Sequence, residues 1–510
     1  MNTSNTNNRI ENSYRNMVFG LIQYIIKFIF PFIFRTIIIY KFGVEYAGIG
    51  SLFSSILQVL NLSELGFSTS VTYAMYEPVA KGDIDKICSL LTFFRKIYRI
   101  IGLFILVAGL AICPFVKYLI NGSYPDSINI YVIYIILLLN TCFSYLFYGY
   151  KSTLFVVYQR SDIISKIELF ANFGMYLLQV VALIIIKDYY IYLFCGLLGI
   201  IANNLLIQAF SRKIYPDIYC KGNISKEEQK ALLKKTGKLF GHQLDVVIIT
   251  SADNIVISTF LGLSVLTIYN NYFMIINALI GVMRMIATSF TASIGNSLAI
   301  ESKEKNLKNF LDFSYMIINI SGFCFILEFA LFQNFMTIWM GKDMLLTTPL
   351  VFLICLSSHI RMAKRPGNMY KDAKGLWDID VLKPYIAGAF NLVVNILLVR
   401  WIGLYGVILS TIVSIEFIEK PWETYVIFKH YFKHGLKDYI IMHFVSSLKI
   451  AIIGLIIYVI SYFFTVSNFG FFFVKAAILS LTTVGLLILF SFKDVHFQYL
   501  KNNIMKIIRK

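Results

Sequence analysis

Residues 251–276 read SADNIVISTFLGLSVLTIYNNYFMII. An apolar run that carries Asp253, with Asp245 eight residues before it, stops at Leu261, Gly262 interrupts it, and a second apolar run begins at once. Glycine directly after the last residue of a helix is a common stop signal, and apolar runs of about 20 residues are long enough to cross roughly 30 Å of hydrocarbon. The stretch therefore predicts two membrane helices joined by a very short turn. Residues 42–57, FGVEYAGIGSLFSSIL, align without gaps to residues 261–276, with glycine falling on glycine. Each segment joins two apolar runs, and the two stand six predicted helices apart, which suggests a duplicated lobe of the kind from which transporters build alternating access.

Composition requires a lipid environment for most of the chain. Of 510 residues, 58% are hydrophobic and only 15% charged, with a mean hydropathy of +0.71. A soluble protein carries about 25% charged residues. The seven cysteines are scattered, with no CxxC and no Cys/His cluster, so structural disulfides and metal sites are not expected. The N-terminus, MNTSNTNNRIENSYRN, lacks the pattern of a cleaved signal peptide, so the first membrane helix is expected to be retained.

Fourteen apolar runs follow, at 16–40, 46–75, 89–120, 128–149, 163–186, 189–210, 239–260, 265–295, 310–338, 346–360, 381–399, 404–428, 439–464 and 470–492. With a cytoplasmic N-terminus, the eight inner segments hold 30 Lys plus Arg, and the outer loops hold only Lys41, Lys187, Lys342 and Arg400. A missed or invented helix would invert every later loop and destroy this asymmetry, so the count supports an even number of spans with both termini cytoplasmic. The net charge of +18 is then mainly topology rather than nucleic-acid binding. The predicted organisation is an all-α membrane protein. It comprises an N-lobe of six helices (1–210), a basic cytoplasmic loop (211–238), a C-lobe of six (239–428), and two further helices with a basic tail (439–510). The loop and the tail are expected to lie on anionic lipid headgroups.

Several stretches resemble a known family. GVEYAGIGSLFSSILQVLNLSELGFSTSVTYAMYEPVAKGDIDKICSLL (43–91) is similar to the second-helix signature of bacterial polysaccharide flippases, with its glycine-rich entry, "ELG" and "KGD" turn. The resemblance continues at YQRSD (158–162), ADNIVISTFLG (252–262) and GLYGVILSTIVS (403–414). It implies the multidrug/oligosaccharidyl-lipid/polysaccharide exporter superfamily, with two helical bundles around a central cavity. It also implies a bacterial inner-membrane carrier that turns a polyprenyl-diphosphate-linked oligosaccharide from the cytoplasmic to the outer leaflet. Polysaccharide polymerase and chain-assembly proteins would be its partners.

Against that background the intramembrane charges acquire candidate roles. An ionised group at mid-membrane costs about 2.5–3.5 kcal/mol on insertion scales, so such groups face a partner or a wet cavity. Asp245 and Asp253 are about 12 Å apart along one helix and about 80° apart around it. Arg284 on the next helix reaches a depth similar to that of Asp245, and Lys27 and Glu64 repeat the pattern in the N-lobe. One cation and one acid per lobe would suit a diphosphate-bearing amphiphile, with Lys27, Arg284 and Arg35 as cavity cations. Glu64, Asp245, Asp253 and Glu328 would balance them or bind a coupling ion, H+ or Na+, with Asp253 and Glu328 at comparable depth. Each pair could equally be structural glue between helices, and Arg35, about 9 Å below its helix end, could simply snorkel. Arg95, Lys96 and Arg99 are expected to snorkel inward or to form a cytoplasmic-side gate for diphosphate. Glu416 and Lys420, four residues apart, read as an internal ion pair.

The longest outer loop, around NGSYPDS, has one acid and no base, and no P-loop appears, so neither an enzyme nor a self-sufficient ATP-driven pump is expected. The competing transporter readings are a multidrug or cation antiporter and a peptidoglycan-precursor flippase. An assembly scaffold stands outside the transporter class. Lys27 and Arg284 favour an anionic substrate over an organic cation.

Overall fold

A computed structural model describes residues 3–64 and 66–508. Among the described residues the secondary structure is helical throughout, with no strand. Contacts divide the chain into two compact units, residues 1–267 and 268–510.

The first unit contains α1 (Thr3–Lys41), α2 (Val44–Leu60), α3 (Phe67–Lys81), α4 (Ile84–Ile112), α5 (Ile130–Leu146), α6 (Ser152–Val157), α7 (Ser161–Val181), α8 (Tyr189–Ile214) and α9 (Lys226–Leu261). Polar residues stand where helices start. The side chains of Asp83, Asn129 and Asp188 accept backbone N–H groups of the first turn, and Ser225 with Glu228 forms a reciprocal capping box on α9. α1 packs on α7, α7 on α8, and α5 on both α4 and α8. α9, which the six-helix spacing assigns to a second lobe, makes its contacts with α2 and α3 inside the first unit.

The second unit takes most of α10 (Leu263–Ile300), then α11 (Lys303–Met340), α12 (Thr348–Ala363), α13 (Arg365–Lys374), α14 (Lys383–Ile402), α15 (Leu404–Ser414), α16 (Lys420–Ile427), α17 (Leu436–Tyr462), α18 (Phe469–Ser491) and α19 (Val495–Ile508). α11 is its central post, packed on α12, α17 and α18 and buried along most of its length.

Each of the fourteen apolar runs falls on helix, but not each on one helix. Among the described residues, eight helices are long and apolar enough to cross a membrane, or nine if the bent pair Ile130–Leu146 and Gly149–Val157 counts as one span. The figure of fourteen spans is therefore not established. The run at 46–75 is broken: α2 tightens into a 3₁₀ turn at Asn61–Glu64, and α3 starts after Gly66, whose φ of 89° is open to glycine at little cost. The run at 404–428 is interrupted by a π-turn at Ile415–Glu419, immediately ahead of Lys420-Pro421, and the proline cannot donate the backbone bond that a regular helix would use. Pro31, by contrast, lies inside α1 without ending it.

The paired glycine turns match in detail. Gly43 has φ 119° and ψ 165°, and Gly262 has φ 91° and ψ 174°. This region of backbone space is nearly closed to residues bearing a Cβ, so the sequence alignment of the two turns reflects one shared conformation.

Candidate functional site

The two glycine turns meet within the first unit. Thr267 Oγ1 donates to the carbonyl of Val44 at 2.8 Å, and Ser264 Oγ donates to Glu45 Oε1 at 3.1 Å. A Cβ on Gly48 would stand 2.6 Å from the carbonyl oxygen of Leu263, so only glycine permits this approach. Along the same face of α2, Ser55 Oγ accepts from Asn254 at 2.8 Å and Gln58 Oε1 accepts from Ser251 at 3.3 Å. Positions 44, 48, 55 and 58 lie on one side of a helix, so the contacts form a polar seam from α2 to α9 and the first turns of α10.

Arg35 belongs to this seam. Its guanidinium donates to the Thr267 carbonyl at 2.9 Å and to Ser51 Oγ at 3.4 Å. Lys27 and Glu64, matched in depth by sequence, have other partners. Lys27 Nζ lies 2.5 Å from Glu168 Oε2, an oxygen to which Gln23 also donates, because α1 packs along α7. Glu64 sits in the break between α2 and α3, where the Tyr98 hydroxyl donates to it at 3.2 Å. Asp253 is buried on α9, and the side chain of Asp245 lies outside the described residues.

In the second unit Arg284 is exposed on α10. Burial, and then the neighbouring Arg284 charge, lower the Arg365 guanidinium from its ordinary value. Arg365 Nε and Arg361 Nη2 are buried, and neither has a hydrogen-bond partner among the described residues. Arg284 and Arg365 are thus neighbouring cations, and Arg365 and Arg361, four residues apart, each have a donor to spare. In the sequence Arg361 and Arg365 count only toward the inner-loop charge; the signal available was the RMAKR spacing, which puts both at the α12/α13 junction.

Glu328 is buried between α11 and α12, 4% exposed. Ser358 Oγ donates to its Oε1 at 3.1 Å, whereas Oε2 has no hydrogen-bond partner among the described residues. Glu328 also lines a cavity of about 310 Å³ with Cys324, Leu331 and Phe332.

A further buried network escaped the sequence reading. Lys383 Nζ bridges Glu423 Oε1 at 2.5 Å and Asp380 Oδ2 at 3.4 Å; Asp380 also pairs with Lys371, and Lys364 with Glu419. The Glu416–Lys420 pair expected from its spacing is present, with Lys420 Nζ 3.0 Å from both carboxylate oxygens.

Two units of long apolar helices carrying buried charge, the first of them with a repeated glycine turn, define a multi-pass membrane protein. Its fold is shared with solved transporters. One is described as "Lipid II flippase MurJ, inward closed conformation", matching at 16% identity and a TM-score of 0.63 over 93% of this chain and 98% of that one. A second is an inward-facing multidrug resistance MATE family transporter of the MOP superfamily, at 13% identity and a TM-score of 0.61 over 84% and 94%. A MOP superfamily transporter from Pyrococcus furiosus, whose title speaks of a reversed polarity of its binding pocket, matches at 11% identity and a TM-score of 0.55 over 87% and 96%. No curated protein matches the sequence. A family model described as "Polysaccharide biosynthesis protein" matches residues 11–291, more than half the chain, and the protein belongs to that family.

Proposed function

We propose that the protein flips a polyprenyl-diphosphate-linked oligosaccharide from the cytoplasmic to the outer leaflet of a bacterial inner membrane, with both termini cytoplasmic and polymerase and chain-assembly proteins acting downstream. The observation that carries this reading is the neighbouring pair Arg284 and Arg365, with buried donors on Arg365 and on Arg361, four residues before it, lacking a hydrogen-bond partner among the described residues. Guanidinium groups bind phosphate oxygens bidentately, and mutual repulsion among cations is relieved by an anion. An exporter of organic cations would want the opposite sign. A peptidoglycan precursor carries the same diphosphate head, so these cations do not discriminate between the two lipids, and family membership favours the polysaccharide substrate. Glu328, with one buried oxygen lacking a hydrogen-bond partner among the described residues, is the acid we assign to a coupling H+ or Na+.

The test uses cells lacking the protein, in which accessibility to an impermeant oxidant reports the leaflet holding the lipid-linked oligosaccharide. Trapping on the cytoplasmic side, relieved by wild type and not by Arg284→Gln, is expected. Normal outer-leaflet arrival without the protein would overturn the proposal.

A further inference from the structure

The first unit contains a second cationic site, distinct from the arginines described above. Arg95 and Arg99 lie four residues apart on one face of α4, Gln208 and Arg212 four apart on α8, and the short turn Gly149–Lys151 brings Lys151 between them. Together with the 216–220 connection they enclose a cavity of about 820 Å³, within the size range of small-ligand sites. Among the described residues its lining has four cations and no acid.

Several other cations of the first unit are paired with acids; these are not. Lys86 pairs with Glu228, Lys221 with Asp85, and Arg160 and Lys166 with Asp162. Arg95, Arg99, Lys151 and Arg212 have no ion-pair partner among the described residues. Lys151 is only 5% exposed, and Gln208 Oε1 is buried without a hydrogen-bond partner among the described residues. Burial, followed by the Arg212 and Arg95 charges, lowers the Lys151 ammonium from its ordinary value. A buried ammonium facing three guanidinium groups is unfavourable unless an anion joins it. A tetrahedral phosphate offers enough oxygens for two forked guanidinium contacts and a lysine point charge. Snorkelling alone would send these side chains apart into water rather than around one cavity.

We infer that this pocket is a phosphate-binding site, taking either the phosphorylated head of a membrane lipid or a free diphosphate. It stands on its own residues and does not depend on what the protein carries.

The test uses the full-length protein in nanodiscs of phosphatidylcholine alone, titrated calorimetrically with inorganic pyrophosphate, and in nanodiscs containing phosphatidylglycerol. Pyrophosphate binding is expected, with loss of one site or at least tenfold weakening in Lys151→Gln and in Arg95→Gln/Arg99→Gln. Arg160→Gln, outside the pocket, should bind as wild type. Arg212→Gln, on an exposed residue at the rim, should weaken binding severalfold and keeps the test decisive if Lys151→Gln fails to fold. Loss of the pyrophosphate signal in phosphatidylglycerol nanodiscs identifies a lipid headgroup as the occupant; its persistence identifies a free diphosphate. Either result supports the site. No binding in phosphatidylcholine, or binding that all pocket variants leave unchanged, overturns it. Because the variants that decide the test all lie in the first unit, its failure leaves the leaflet assay with Arg284→Gln untouched.

Discussion

Replacing Lys383 with methionine should destabilise the second unit by about 3–5 kcal/mol, the usual cost of removing one partner from a buried ion pair. Lys383 is the shared cation of two acids, at 2.5 Å from Glu423 and 3.4 Å from Asp380. The acids are not equally exposed to its loss. Asp380 retains Lys371, whereas Glu423, 3% exposed, loses its direct partner and keeps only the longer-range attraction of Lys364 and Lys371. The orphaned carboxylate therefore sets the magnitude. Glu423→Gln should cost less, about 1–3 kcal/mol, because Lys383 still has Asp380 and the amide still accepts a hydrogen bond. The double variant Lys383→Met/Glu423→Met should recover most of the single-variant loss, since buried pairs replaced by apolar groups of similar volume are often neutral. Denaturant titration of purified protein in mixed micelles would measure all three. A Lys383→Met variant within about 1 kcal/mol of wild type, or a double variant no better than the single, would refute this reasoning.

Other outcomes follow from the same geometry. Gly48→Ala should destabilise by about 1–3 kcal/mol, because its Cβ meets the Leu263 backbone oxygen, whereas Gly174→Ala, with open space around it, should be neutral or gain up to about 1 kcal/mol; thermal midpoints compare them. Burial raises the Asp162 carboxyl, but bonds from Arg160 and Lys166 outweigh it and hold the group below the ordinary range. Its contribution is therefore present at neutral pH and is lost as pH falls through the depressed value. Asp162→Asn should accordingly be less stable at pH 7, with the gap closing only well below about pH 4 in a pH series of unfolding midpoints. Arg35→Gln should lower stability by breaking the Thr267 contact, in contrast to Arg284→Gln, which should spare stability and abolish transport; paired melting and flipping measurements separate the two.

Helix positions were legible because apolar runs of spanning length have few alternatives in lipid. The turns at Gly43 and Gly262 were legible because one backbone conformation demands glycine in both copies. The break between α2 and α3 was not, since the polar residues Asn61, Ser63 and Glu64 and the glycine at 66 sit inside a run whose apolar flanks reach spanning length. Depth along a helix gave Lys27 and Glu64 the same level but could not give azimuth or neighbour: α1 faces α7, so Lys27 meets Glu168. For the same reason Lys383 and Glu423, 40 residues apart on α14 and α16, showed no sequence signal of pairing. Arg361 and Arg365 were absorbed into a charge count that explained orientation well. A count cannot tell a solvated cation from one buried with unbonded donors.

The most direct test of the central claim places purified protein in liposomes with a fluorescent polyprenyl-diphosphate oligosaccharide and measures how much probe becomes accessible to an impermeant quencher. The account predicts that wild type equilibrates the probe between leaflets and that Arg284→Gln, equally folded, does not. Equal flipping by both, or none by wild type under an imposed proton or sodium gradient, would contradict it.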